Sequence, residues 1–310
     1  MPNGVSMNAD TASQLDVQQL YTFRDVFRLG GYAAAAAQSN LSVPTIWQHI
    51  QGLEKLYKVR LFEKVGRRVQ PTDAAHQLFA AVDEILAGLE STFDLAQSDL
   101  DSPHALILMA GNRMMMEDLA APLAEFQKKF PNRLMIRHGN NKRAEEALLA
   151  NEADIALSLE PGLEQQSSQI HYEPAYFVDF LAVSPPRHPF ARLKNLTLRQ
   201  IVKHPLIVTA PGTHGRDALE QSLYRDRLSA NIVVETDNSG FTIACVQAGM
   251  GVGILAGRPD GQFCRKLTTH SLRKPLGQRQ IVFMWRKGRR LSEPALGVID
   301  EIRHYHAGDN

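Results

Sequence analysis

Residues 32–56, YAAAAAQSNLSVPTIWQHIQGLEKL, constrain this chain more than any other stretch. A small-residue helix from Tyr32 to Gln38 meets a polar break at Ser39-Asn40. Ser42 can cap orphan N–H groups and Pro44 is tolerated in a first turn, so a second helix is expected to start there. Two short helices with a tight turn between them read as helix-turn-helix. At about 100° per residue, Ile46, Ile50, Leu53 and Tyr57 share one face of the second helix and are expected to pack inward. Pro44, Gln48, Gln51 and Lys55 fall opposite, with Trp47 on one flank and Thr45 and Gly52 on the other. This outer face of amides and one cation, without a carboxylate, suits a major-groove reader. Taken alone, it suits a solvated surface helix equally well.

The flanking segments extend the pattern. Residues 16–29 repeat apolar positions at Leu20, Phe23, Val26 and Phe27 and stop at Gly30-Gly31, which predicts a third helix across the pair. Residues 60–72, RLFEKVGRRVQPT, predict a short two-stranded wing turning at Gly66. Arg67 and Arg68 at its tip would meet phosphate or enter a minor groove, the alternative being a solvated hairpin tip. A long helix is then expected over 73–98, with Leu78, Val82, Ile85 and Leu89 in one stripe and Phe79, Leu86 and Phe93 widening it. Two apolar faces on one helix predict pairing with its copy in a second subunit, against packing on its own chain.

Charge is informative only in its distribution. The whole chain carries a net +1. Residues 16–72 hold eight Lys/Arg against four acids, whereas 73–99 hold six acids and no Lys/Arg. Phosphate contact by the first block supplies a reason for that asymmetry. Two cysteines, Cys245 and Cys264, make no disulfide framework. No signal-peptide pattern and no membrane-length apolar run is present in the sequence, so a cytoplasmic protein is expected. Residues 1–15 are expected to be a disordered extension.

From Ala105 onward strands and helices alternate, predicting an α/β domain. Strands are expected at 105–110, 134–138, 155–159, 177–184, 206–208, 232–235, 253–255 and 279–285, with helices at 115–130, 142–150, from about 216, at 241–248 and at 294–305. Helices starting near Asn112-Arg113, Asn140-Asn141, Thr213-His214 and Ser239-Gly240 should converge where the strands end, the crevice of such domains. Unpaired N–H groups there favour an anion, although Asn, Thr and Ser can simply cap their own helices. Arg113 adds a charge that capping does not require, and its fork suits a carboxylate.

With these pieces placed, the chain resembles the LysR-type transcriptional regulators from residue 17 to about 305. The resemblance rests on Gly31-Tyr32, Ala35-Ala36, the run Leu41 to Trp47, Ile50, Leu53-Glu54, Leu61 to Lys64, Arg67 to Val69 and Pro71-Thr72. Later it includes Phe130-Pro131, the ADIAL of 153–157, the HPLI of 204–207 and the AGMGVGIL of 248–255. It implies a winged helix-turn-helix over 16–72, a dimerising linker helix over 73–102 and a two-lobed, periplasmic-binding-protein-like effector domain over 103–310. Lobe I would take about 103–172 and 277–310, and lobe II about 173–276. It implies a sequence-specific DNA-binding regulator, not an enzyme, that needs no cofactor or metal but responds to a small-molecule effector. The partners implied are an interrupted palindrome of double-stranded DNA and a second copy, as dimer or tetramer, with no membrane. Ser42, Val43, Pro44, Thr45, Trp47, Gln48, Gln51, Lys55, Arg67 and Arg68 would touch DNA. Asn112, Arg113, Met114, Gly139, Asn140, Thr209, Thr213 and Phe241 would face the effector.

The departures fall on the reading helix. The family commonly carries Gln at position 43, Ser at 47 and often Arg at 48, where this chain has Val43, Trp47 and Gln48. Gln48 can pair with adenine edges, and Val43 and Trp47 can touch thymine methyls. Asn112-Arg113 replaces the usual hydroxyl residues, so an anionic effector held by Arg113 is expected.

An effector-independent repressor, a metabolite-binding protein and an enzyme are the competing readings. GVGILA at 251–256 resembles a dinucleotide fingerprint, but it is expected to follow a helix and lead into a strand, the wrong order for binding pyrophosphate. The eleven histidines show no metal-ligand spacing.

Overall fold

The computed structural model describes residues 14–65, 68–97, 105–131, 134–211, 213–259, 261 and 264–307. The expected disordered extension and the linker boundary at 101–103 therefore lie outside the described residues, apart from residues 14 and 15. The chain forms two compact units, one of residues 1–100 with 286–290, the other of 101–285 with 291–310.

The first unit opens with α1 (Val17–Leu29), α2 (Tyr32–Ser39) and α3 (Val43–Tyr57). Local chemistry sets each end. The Asp16 side chain accepts the Gln18 N–H, and Gly30 closes α1 at φ 69°. Asn40 makes the turn after α2 at φ 54°, the left-handed region that Asn tolerates. Ser42 accepts the Thr45 N–H, and Pro44 occupies the first turn of α3. Ile46, Ile50 and Leu53 are fully buried against Leu20, Phe23, Val26, Ala35 and Ala36, as the periodicity predicts. Strands β1 (Phe62–Val65) and β2 (Arg68–Pro71) pair antiparallel from Phe62↔Pro71 to Val65↔Arg68 and form the wing. Thr72 then caps α4 (Asp73–Gln97) by accepting the Ala75 N–H.

Helix α4 divides its apolar residues between two environments. Val82 and Leu86 are buried in the first unit's core, and Leu78 and Phe79 pack against it. Phe79 stacks on Phe27 of α1 with ring centroids 4.0 Å apart. Ile85 and Phe93 stay outside, 59% and 63% exposed. One face of this helix thus packs within the chain, as the alternative reading expected, and another has no cover among the described residues.

The second unit continues with β3 (Leu106–Ala110), α5 (Asn112–Met114), a π-helical segment (Met115–Leu119), α6 (Ala120–Lys129), β4 (Leu134–His138), α7 (Asn141–Leu149), β5 (Ile155–Leu159) and the long β6 (Ile170–Ser184). Then come α8 (Leu198–Ile201), β7 (Leu206–Thr209), α9 (His214–Arg225), β8 (Ile232–Thr236), α10 (Ser239–Gln247), β9 (Val252–Gly257), β10 (Thr268–Ser271), α11 (Arg273–Leu276), β11 (Gln278–Arg286) and α12 (Glu293–His306). The strand order is β4-β3-β5-β11-β6-β9-β7-β8, with β10 on β6. Parallel trios β4-β3-β5 and β8-β7-β9 are joined through β11 and β6. Strand β6 serves two cores: Tyr176 and Val178 enter one, Phe180 and Ala182 the other. That sharing makes β6 a crossover between two lobes.

Several expected bounds shift. The helix starts expected near Asn112, Asn140, Thr213 and Ser239 are found, the first helix passing through a π turn, so the later bounds expected at Met115, Arg216 and Phe241 move toward the N-terminus. Strand β6 begins at Ile170 rather than Phe177, and β10 was not expected at all. Of GVGILA, Gly251 precedes the buried strand β9 and residues 252–256 lie in it, after α10, so the order is helix to strand as expected. A Cβ at Gly253 would stand 2.7 Å from Val183 Cγ2, so this glycine answers to packing rather than to a phosphate.

Candidate nucleic-acid interface and effector site

Of the residues expected to touch DNA, Ser42, Val43, Pro44, Trp47, Gln48, Gln51 and Lys55 are exposed and Thr45 half-buried, all on α3 or its cap. Arg67 lies outside the described residues, as does the side chain of Arg68. Three members are already engaged. Ser42 is the helix cap and shares a 2.7 Å hydroxyl–hydroxyl bond with Thr45, and Gln51 Nε2 donates to Glu54 Oε2 at 2.7 Å. Among the described residues, Gln48 has no hydrogen-bond partner, which leaves its amide available to a base edge.

Sequence reasoning passed over Glu54. Its other oxygen accepts the backbone N–H groups of Leu61 and Phe62 at 2.7 and 3.2 Å, while Thr72 Oγ1 donates to the Arg60 carbonyl at 2.7 Å. The carboxylate thus fastens the base of the wing to the last turns of α3. The signal was available: Glu54 is the one carboxylate in α3, eight residues before a strand start.

The charge asymmetry has a cause besides phosphate. Arg24 Nη1 lies 2.8 Å from Glu90 and Arg28 Nη2 2.7 Å from Asp83, so two cations of the basic block pair with the acidic helix. Arg286, also of this unit, lies 2.7 Å from Glu90 and 3.3 Å from Asp83. Burial raises the Glu90 carboxyl, but Arg24 and Arg286 outweigh it and the net shift is downward. Lys55, Lys58, Arg60 and Lys64 remain exposed for phosphate.

In the second unit the expected effector residues gather at strand ends. Gly139 N–H donates to the Ala110 carbonyl at 3.1 Å, which sets the end of β4 beside the start of α5. Thr213 Oγ1 donates to Thr209 Oγ1 at 2.8 Å, and Ala210 N–H reaches the Thr236 carbonyl. Helix α10, which carries the exposed Phe241, packs against α5 and so brings the two groups together. Asn140 and Thr213 cap α7 and α9, and Asn238 caps α10. The start of α5 differs, since Gly111 gives its first N–H groups no side-chain cap. Met114 is buried in the lobe core that also holds Leu108 and Phe126, which withdraws it from the expected effector-facing set.

Arg113 does not offer the free charge expected of it. Its guanidinium is buried, with Nη1 2.8 Å from Asp118 Oδ2 and 3.2 Å from Glu117 Oε2. The π turn brings both acids within its reach. The Tyr176 hydroxyl donates to Asp118 Oδ2 at 2.7 Å, and its ring stacks on His306 at 3.8 Å. Burial alone lowers the Arg113 pKa; Asp118, Tyr176 and Glu117 reverse that and raise it. Burial pushes the Glu117 carboxyl up, with Arg113 opposing. The Tyr176 phenol is raised by burial and by Asp118. Arg113 at i with Glu117 at i+4 was legible as a helical ion pair, and that reading was missed. Across the second lobe, Arg216 is likewise committed, to Glu220 at 2.5 Å and Glu235 at 2.6 Å.

Cys245 and Cys264 are both buried, and burial, then Glu117, pushes the Cys264 thiol up to about 11. A thiol that far from thiolate at neutral pH is a poor redox sensor. Among the described residues, no group of three His, Cys, Asp or Glu could hold a metal ion, and no helix is long and apolar enough to cross a membrane.

Known proteins match these surfaces. The family of bacterial regulatory helix-turn-helix proteins of LysR type matches residues 17–76, and the LysR substrate binding domain matches 108–307. The transcriptional activator CmpR of Synechocystis is 24% identical over 249 residues, 77% of this chain and 78% of that protein. The regulator CysB of Burkholderia cenocepacia is 28% identical over 249 residues, 78% of each chain. Full-length OxyR from Pseudomonas aeruginosa shares the fold, with a TM-score of 0.59 at 18% identity, covering 93% of this chain and 95% of that one. The two family models together span most of the described residues, and the chain belongs to the LysR family of transcriptional regulators.

Proposed function

We propose that this regulator reads an interrupted palindrome through the outer face of α3. It would act in the cytoplasm as a homo-oligomer whose operator affinity a small molecule sets. The observation that carries the reading is the division of α3: Ile46, Ile50 and Leu53 are fully buried, while Val43, Pro44, Trp47, Gln48, Gln51 and Lys55 stand in solvent. A groove wide enough for a helix accepts such a face. Arg68 opens β2 and Arg67 precedes it in sequence, and their charge suits the flanking backbone. The exposed Ile85 and Phe93 of α4 supply apolar surface for a second copy, and two such dimers would span the palindrome.

The effector sits where α5, α7, α9 and α10 begin. Its anionic or hydrogen-bond-accepting group meets the uncapped N–H groups after Gly111, because a helix start of this kind favours such a group. Arg113 supports that turn through Glu117 and Asp118 instead of gripping the ligand. Asn112, Thr209 and Phe241 would touch the remainder. Binding shifts the population between lobe arrangements that differ in operator affinity, which requires unequal affinity for the two states.

Footprinting of the full-length protein on DNA upstream of its own gene, with and without a pool of small carboxylates, tests this reading. A discrete protected site whose length changes with one metabolite is expected. A protected site that no metabolite alters would leave an effector-independent repressor. No protected site would remove the operator reading.

A further inference from the structure

We propose that Val43 and Trp47 form a methyl-reading pair, so that each operator half-site presents thymine 5-methyl groups to the first turns of α3. This rests on α3 being the DNA-reading helix.

The pair is defined by position. Val43 is the first residue of α3 and Trp47 lies one turn on, so the two side chains are neighbours on the helix surface. They are 46% and 51% exposed, and neither packs on the unit's core. Among the described residues, Trp47 has no aromatic or cation–π neighbour. A tryptophan beside a valine in open water forgoes burial that a fit to a partner would recover.

The groove offers one apolar group. Of the four bases, only thymine shows a methyl on its major-groove edge; the other edges are donors and acceptors. On the same face of α3, Gln51 is held by Glu54, which leaves Gln48 as the unengaged amide among the described residues. Hydrogen-bond readout by this helix is therefore thin, and apolar contact by Val43 and Trp47 adds discrimination that Gln48 alone does not supply. Exposed Lys55, Lys58, Arg60 and Lys64 nearby favour a polyanion over an apolar protein surface as the occupant.

The experiment selects duplexes from a randomised DNA library with the full-length protein at fixed salt. Each thymine of the enriched duplex is then replaced singly by uracil, which removes only the methyl. Fluorescence anisotropy should show affinity falling about fourfold at each contacted position, the factor expected for losing one buried methyl. Trp47→Ser and Val43→Ser, both at exposed sites, should bind thymine and uracil duplexes alike at those positions and keep the salt-dependent background. Equal affinity for thymine and uracil at every position would overturn the proposal, as would a thymine preference unchanged in both variants. Enrichment of no sequence at all would overturn the operator reading beneath it as well.

Discussion

Asp118 Oδ2 lies 2.8 Å from Arg113 Nη1, and both side chains are closed off from solvent. Glu117 on the same π turn and the Tyr176 hydroxyl from β6 complete the cluster. Two carboxylates around one guanidinium leave no positive charge to spare, which is why the effector reading moves from this side chain to the helix start. Removing one partner of a buried pair costs about 3–5 kcal/mol, because the other is left uncompensated. Arg113→Met should lower full-length stability by that amount in urea unfolding. A loss under about 1 kcal/mol would mean that the pair is solvated and the arginine free for ligand.

The same cluster gives a pH signature. Burial raises the folded-state Glu117 pKa above its unfolded value. An acid of this kind contributes stability that is fully present below the unfolded pKa, about 4.3. The contribution is lost as pH rises through the higher folded value, because the native state holds the proton longer. Glu117→Gln keeps the neutral form at all pH values. Its urea midpoint should therefore fall less than that of the wild type between about pH 4 and neutrality. Parallel profiles for the two proteins would show that Glu117 does not titrate in that window.

Glu54 fastens the wing through the Leu61 and Phe62 N–H groups. Glu54→Ala strands these donors, at a cost of about 1–3 kcal/mol. Urea unfolding should register that loss, and DNA affinity should fall although Glu54 itself carries the wrong charge for phosphate. Tighter DNA binding by the variant would show that the carboxylate acts by repulsion, with no part in holding the wing.

Ile85 and Phe93 are large, apolar and exposed on α4. Burying either against a second copy is worth about 1.5–3 kcal/mol. Ile85→Glu and Phe93→Glu should convert the assembly toward monomer in size-exclusion chromatography with light scattering, with the helical circular dichroism unchanged. An unaltered mass for both variants would place the subunit contact elsewhere.

How much of this was legible depends on the range of the interactions. The helix-turn-helix rests on neighbours: the Ser42 cap, Asn40 at the turn and the Ile46–Ile50–Leu53 stripe are all written within one turn or two. The alternation that marks the α/β domain is equally local. Partners distant in sequence were invisible. Nothing near Arg24 or Arg28 announces Glu90 or Asp83, and nothing near Arg113 announces Tyr176 on β6. Arg113 was misread for a second reason. A π turn brings i+5 as well as i+4 onto one side, and Asp118 enters the pair by that irregularity.

Hydrogen-bond reading of bases by α3 rests on Gln48, whose amide is open among the described residues. The wild-type protein and Gln48→Ala should be compared at fixed salt for their affinities toward the footprinted site and toward scrambled DNA. Gln48→Ala should narrow that difference by about 1–3 kcal/mol while leaving the scrambled-DNA affinity and its salt slope intact. An unchanged difference would remove Gln48 from the reading set and contradict hydrogen-bond readout by this face.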